Sequence, residues 1–167
     1  ENTAGTPEAI DYVKFQSQAT NVADGSEEGK FFLHTMVGGS IVQRITVAGS
    51  ETVLNEDSVD VDFRVESNGN SDMLFVNGGT NRVGIGTDAP LGALHVQASD
   101  VSVTPASDSD NIVIEEDGDG GMSILTSGNG KITWGDAAAE DMAVIAYSHS
   151  TNDMTFRING ANDIMVL

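Results

Sequence analysis

Between Glu115 and Gly120 the chain places four carboxylates among glycines, Glu115-Glu116-Asp117-Gly118-Asp119-Gly120. Clustered oxygens on a sharply turning backbone are what a hard cation such as calcium requires. The spacing completes no EF-hand loop, and Gly118-Asp119-Gly120-Gly121 completes no GGxGxD repeat, so the run is read as a solvated hairpin turn. His34, His95 and His149 stand apart, with no HxH or HExxH pair, and each is expected in or beside a sheet rather than on a metal. Carboxylate pairs are too abundant in so acidic a chain to point to glycoside hydrolysis. The serines sit in no GxSxG elbow. Gly84-Ile85-Gly86-Thr87 lacks the third glycine and the following helix of a phosphate loop. Gly84 and Gly86 are read instead as places where backbone approaches closely or turns tightly. Trp134, next to Thr133 and Ile132, is expected in a core or subunit interface before a sugar-stacking platform. Arg64 and Arg157 are expected to offset local negative charge. With no cysteine, neither a disulfide, a thiolate metal site nor a cysteine nucleophile is available. No catalytic, cofactor-binding or metal-binding residue is assigned, no cofactor is expected, and the chain is not read as an enzyme.

The elements that would carry these side chains are short strands. From Asp60 to Val96, Phe63 and Val65, Met73 and Phe75, Val83 and Ile85, and Leu94 and Val96 give apolar positions two apart, the period at which side chains share one face of a strand. Asn68-Gly69, Asn77-Gly78-Gly79 and Ala89-Pro90 supply the positive or fixed φ of chain reversals. Upstream, Ile10 to Phe15 alternates. Phe31 to Val37 follows the turn region Asp24 to Gly29, and Gly38-Gly39 leads into Ser40 to Val47, where Ile41, Ile45 and Val47 are spaced for one face. Thr52 to Leu54 and Val59 to Val65 come next.

Ala98 to Asp110, rich in Ser and Asp, reads as a linker or irregular crossing. The expected organisation is a β module over 1–97, a linker over 98–110 and a β fibre repeat over 111–167. In the last of these, Ile112 to Ile114, Met122 to Leu125, Ile132 to Trp134 and Ala143 to Tyr147 are the apolar runs, and Ala137 to Met142 allows one helical turn. An internal echo sets Phe63-Arg64-Val65, Asn68-Gly69 and Asp72 to Val76 against Phe156-Arg157-Ile158, Asn159-Gly160 and Asp163 to Leu167. A repeated hairpin is the simple reading.

Seven Lys and Arg against 26 Asp and Glu leave a net charge of −19, which repels phosphate backbones and anionic membranes and argues against nucleic acid as a partner. No apolar run is long enough for a membrane helix, and the start lacks a secretory signal pattern, so no membrane insertion is expected. Both ends read as cut from something longer. Only 9 of 167 residues are aromatic, a thin supply for one chain's core, so neighbouring subunits are expected to complete it.

The ordered string Asn55-Glu56, Val61 to Ser67, Leu74-Phe75-Val76, Val83-Gly84-Ile85-Gly86-Thr87, Pro90 and Leu94-His95-Val96 resembles a module of phage tail-fibre and related virion fibre proteins. Lys131 to Asp136, Ile145 to Ser150, then Asn152, Met154, Phe156, Asn159-Gly160-Ala161 and Met165 resemble the repeat that follows it there, and Asp24 to Lys30 is similar to the usual lead-in. The resemblance implies an all-β fold of short antiparallel strands and hairpins in an elongated, intertwined homotrimeric fibre, with β-prism or sandwich-like modules. It further implies a tail or head fibre segment, a shaft or adhesion element for host attachment. Its expected partners are other virion proteins and a host receptor or glycan, and its place is the virion, assembled in the host cytoplasm. A threefold axis would gather three copies of His149, which is expected on a face with Tyr147. The alternatives are a tailspike enzyme that degrades polysaccharide and a non-viral extracellular adhesin.

Overall fold

The computed structural model describes residues 12–158 and 165–166, and these form strands, turns and loops with no helix among them. Ile10, the Asn159-Gly160 turn of the echo, and Leu167 lie outside the described residues. The chain is all-β, and the compact units meet between Gly120 and Gly121.

In the first unit, β1 (Val13–Asn21), β2 (Glu28–Val37), β3 (Ser40–Val47) and β4 (Thr52–Leu54) form an antiparallel sheet in sequence order. Gly38 and Gly39 close β2 onto β3 at φ +55° and +85°, the pair of left-handed positions that a two-residue primed turn demands. Leu33 pairs with Ile45 but His34 with Gln43, so Arg44 is an extra residue in β3. This bulge reverses the alternation that follows it. Ile41 therefore lies on the opposite face from Ile45 and Val47, which corrects their expected common face. One face gathers Val13, Phe15, Phe31, Leu33, Val42, Ile45, Val47 and Leu54, and the other gathers Lys14, Gln16, Phe32, His34, Gln43 and Thr46.

The same unit holds a five-stranded sheet of β5 (Phe63–Ser67), β6 (Asn70–Asn77), β7 (Arg82–Ile85), β8 (Leu94–Gln97) and β9 (Ile112–Glu115), again in sequence order. The expectation of antiparallel pairing throughout is corrected here, since β8 runs parallel to both β7 and β9. Parallel neighbours need crossover connections, usually helical. Here the crossovers are the irregular segments 86–93 and 98–111, and they lie over one face of the sheet, where Gly84, Thr87, Pro90, Gly92 and His95 are buried. Segment 98–110, read as a linker or an irregular crossing, is here an irregular crossing. It is laced to the sheet by Ala98 N–H to Glu115 O (3.0 Å) and Val101 N–H to Glu115 Oε1 (2.7 Å), and it lies within the first unit.

Register fixes the two faces of this sheet. Phe63, Val76, Val83, Leu94 and Ile112 form one cross-strand row, and Val65, Leu74, Ile85, Val96 and Ile114 form the next row on the same face. Phe75 belongs to the opposite face, in a row with Arg64, Gly84, His95 and Val113. Phe63 and Phe75 therefore point apart, because Phe63 pairs with Val76.

The second unit contains β10 (Asn129–Trp134), β11 (Ala143–Ser148), β12 (Asp153–Ile158) and β13 (Met165–Val166), antiparallel in sequence order. Ile132, Trp134, Ile145, Tyr147, Met154, Phe156, Ile158 and Met165 share one face, while Lys131, Thr133, Val144, Ala146 and Arg157 share the other. No strand forms over Met122 to Leu125, and no helical turn forms over Ala137 to Met142. Asp136 takes up the backbone there, its carboxylate accepting from Ala138 N–H at 2.8 Å and Ala139 N–H at 3.0 Å, a side-chain turn that competes with helix. The echo, which sets Phe63 against Phe156 and Leu74 against Met165, is not kept in register, because Phe63 pairs with Val76 whereas Phe156 pairs with Met165.

Candidate functional site

On the crossover-covered face of the five-stranded sheet, parallel register sets Gln97 against Glu115 and His95 against Val113. His95 has 0% of its surface exposed. Its Nδ1 accepts from Leu91 N–H at 3.3 Å, which leaves the proton on Nε2. That nitrogen lies 2.9 Å from Glu115 Oε2, close in distance but off the line of a hydrogen bond. Glu115 is itself buried, and its carboxylate accepts from Val101 N–H at 2.7 Å and Gln97 Nε2 at 2.7 Å. Those two donors, with His95 adding a smaller attraction, hold its carboxyl below the ordinary value of 4.5. Glu116 accepts from Ser99 Oγ at 3.0 Å, and that hydroxyl accepts from Asp117 N–H at 2.6 Å. The acidic run considered for calcium thus turns two of its carboxylates toward protein donors. Among the described residues no three His, Asp or Glu side chains converge as metal ligands do.

The string from Val83 to His95 builds this cover. A Cβ on Gly84 would stand 2.2 Å from Thr87 O, and one on Gly86, at φ +86°, would stand 2.2 Å from Gln97 O. Both glycines are close backbone approaches, as their spacing suggests. Thr87 Oγ1 accepts from Ala89 N–H at 3.1 Å, and Pro90 O accepts from Arg82 Nη1 at 2.9 Å. The motif consists of folding contacts.

The remaining candidates are dispersed. His34 lies beside Phe32, ring centroids 5.9 Å apart, with its Nδ1 buried and without a partner. His149 is exposed and meets Tyr147 edge-on at 4.9 Å. Trp134 is half exposed on the apolar face of the last sheet. Arg64 pairs with Glu66 at 2.6 Å, and Arg157 pairs with Asp141. Arg157 is the main reason that the Asp141 carboxyl is held low.

The apolar faces stand in contrast. Among the described hydrophobic residues, Val42, Phe75 and Val144 are buried, and Phe75 and Val144 sit on the more polar sides of their sheets. Val13, Phe15, Phe31, Val47 and Leu54 on the first sheet, Phe63, Val65, Val76, Ile85, Val96, Ile112 and Ile114 on the second, and Ile132, Trp134, Met154, Ile158 and Met165 on the third are all exposed. The two rows of the second sheet's open face contain no charged residue. Its edge borders a cavity of about 650 Å³ lined by Ile45 and Leu54 of the first sheet, Phe63 and Val76 of the second, and Val59 and Val61 between them.

Comparison with family models, curated proteins and solved structures returned no match.

Proposed function

We propose that this chain is a structural segment of a phage virion fibre, a homotrimer that extends from the particle as a shaft or adhesion element and performs no catalysis. The observation that carries the reading is the inverted use of the sheets. The chain's own loops cover the polar face of the five-stranded sheet, and its apolar face stays open. Burial of apolar surface is the principal favourable term in folding, so a sheet of this kind is completed by more protein. At about 4.8 Å between strands and about 3.3 Å per residue, the three apolar faces offer roughly 1,000 Å² of flat sheet. A specific interface takes about 800 Å² from each partner.

Packing apolar faces together around an axis while the exposed carboxylates of the turns and loops meet water is a prism-like solution. The carboxylates that make up the net charge of −19 would then keep neighbouring particles apart. The Val83 to His95 string supports the same reading, because its residues serve the fold. Native mass measurement at micromolar concentration tests the proposal, with a trimer expected. A stable monomer would overturn it. Release of sugar from host polysaccharide by the purified protein would replace it with the tailspike reading.

A further inference from the structure

We infer that Asn68, in the hairpin loop between β5 and β6, is a site of spontaneous covalent modification, where the side-chain amide is lost and an aspartyl or β-aspartyl link takes its place. The sequence contains Asn-Gly pairs at Asn68, Asn77, Asn129 and Asn159, and Asn159-Gly160 lies outside the described residues. Loss of the amide needs the following backbone nitrogen to reach Cγ of the asparagine, and glycine, with no Cβ, leaves that approach open. The three described pairs differ in how far the fold lets the peptide between the two residues turn.

Two of them are held. Asn77 ends β6 in register with Arg82, and its Oδ1 accepts from Thr80 N–H at 2.8 Å. Gly78 N–H, which carries the attacking nitrogen, donates to Asp62 Oδ1 at 3.0 Å, and a Cβ on Gly78 would stand 2.6 Å from Val61 O. Both reacting groups are engaged there, and the backbone is pressed against its neighbour. Asn129 and Gly130 lie in β10, in register with Ser148 and Tyr147. Turning the peptide between them would disrupt a ladder whose polar groups need their partners.

Asn68-Gly69 is the contrasting case. Ser67 pairs with Asn70, so Asn68 and Gly69 are the two residues of the loop, and both are exposed. Gly69 stands at φ +95°, and an added Cβ would meet nothing within 4 Å. The central peptide therefore has room to rotate in water while the Ser67–Asn70 pair stays closed, and an attack between neighbouring groups gains the advantage of proximity.

Base removes the Gly69 amide proton, and the nitrogen adds to Asn68 Cγ. The N–Cγ bond closes a cyclic imide as the Cγ–Nδ2 bond breaks, and ammonia departs with a proton from solvent. Water then opens the ring, leaving aspartate where it cleaves N–Cγ and a β-aspartyl link where it cleaves the original peptide bond. Water is consumed, ammonia is released, and nothing is oxidised or reduced. Either product adds negative charge to a chain already at −19, close to the exposed Glu66. The β-aspartyl product also lengthens the loop by a backbone atom, and loop length sets hairpin register.

The whole chain, native and unfolded in urea, is incubated in mildly alkaline buffer and its peptides are followed by mass, which reads the exchange of NH2 for OH at each asparagine. In the native chain Asn68 is expected to convert at least about tenfold faster than Asn77 or Asn129. In urea the three are expected to convert at similar rates. A native Asn68 that stays intact overturns the inference, as does native Asn77 or Asn129 converting as fast. The same order persisting in urea overturns it too, because the fold would then not be the source of the difference.

Discussion

At the scale of single residues, the enclosed His95 and Glu115 show how a parallel register makes a polar pair from two unremarkable strands. Leu94-His95-Val96-Gln97 and Ile112-Val113-Ile114-Glu115 run side by side, so their apolar members form one face and their polar members mostly the other. Because Val101 N–H and the Gln97 amide hold the Glu115 carboxyl below 4.5, the stability it contributes is fully present above that pH and is lost as pH falls through the depressed value. Glu115→Gln is therefore expected to be less stable than wild type at neutral pH. The gap should close as the solution is acidified below 4.5, read by urea denaturation across pH. Phe75 and Phe63 make a second contrast. Phe75→Ala removes an enclosed ring and should cost about 3 to 5 kcal/mol. Phe63→Ala should leave the isolated chain nearly as stable and act on association, which unfolding at two protein concentrations separates.

At the scale of elements, the glycines divide by what surrounds them. Gly86 combines φ +86° with a Cβ position 2.2 Å from Gln97 O, whereas Gly39 has φ +85° and open space. Gly39→Ala should cost about 1 to 2 kcal/mol, the left-handed penalty alone. Gly86→Ala should cost clearly more and loosen both crossovers, checked by thermal unfolding and hydrogen exchange at Leu91 and Val101. The strands and most turns were legible in sequence, because alternation and Asn-Gly or Gly-Gly pairs are local signals. Faces and topology were less so. The Arg44 bulge shifts Ile41 by an inserted residue that composition does not mark. The second parallel crossover reads as a linker or irregular crossing because it is polar and lacks alternation, and only the register of β8 against β9 shows it to be a cover. The acidic run at Glu115 reads as a solvated hairpin turn for the same reason, since the donors that bury its first carboxylate, Val101 and Gln97, are distant in sequence.

At the scale of the whole molecule, the open faces decide behaviour. A charge on one of them, as in Val96→Lys, should be tolerated by the single chain because Val96 is exposed there. It should abolish assembly, with monomer replacing trimer in native mass measurement and circular dichroism little changed. The sequence hinted at incomplete burial through its scarcity of aromatics, but it did not show that the polar face would be the one covered. That inversion also bears on kinetics. In the trimer proposed above, sheets whose greasy side is finished by sister copies would reach their final state through encounters between molecules, so the slow phase of refolding is expected to quicken as protein concentration rises and to stall on dilution.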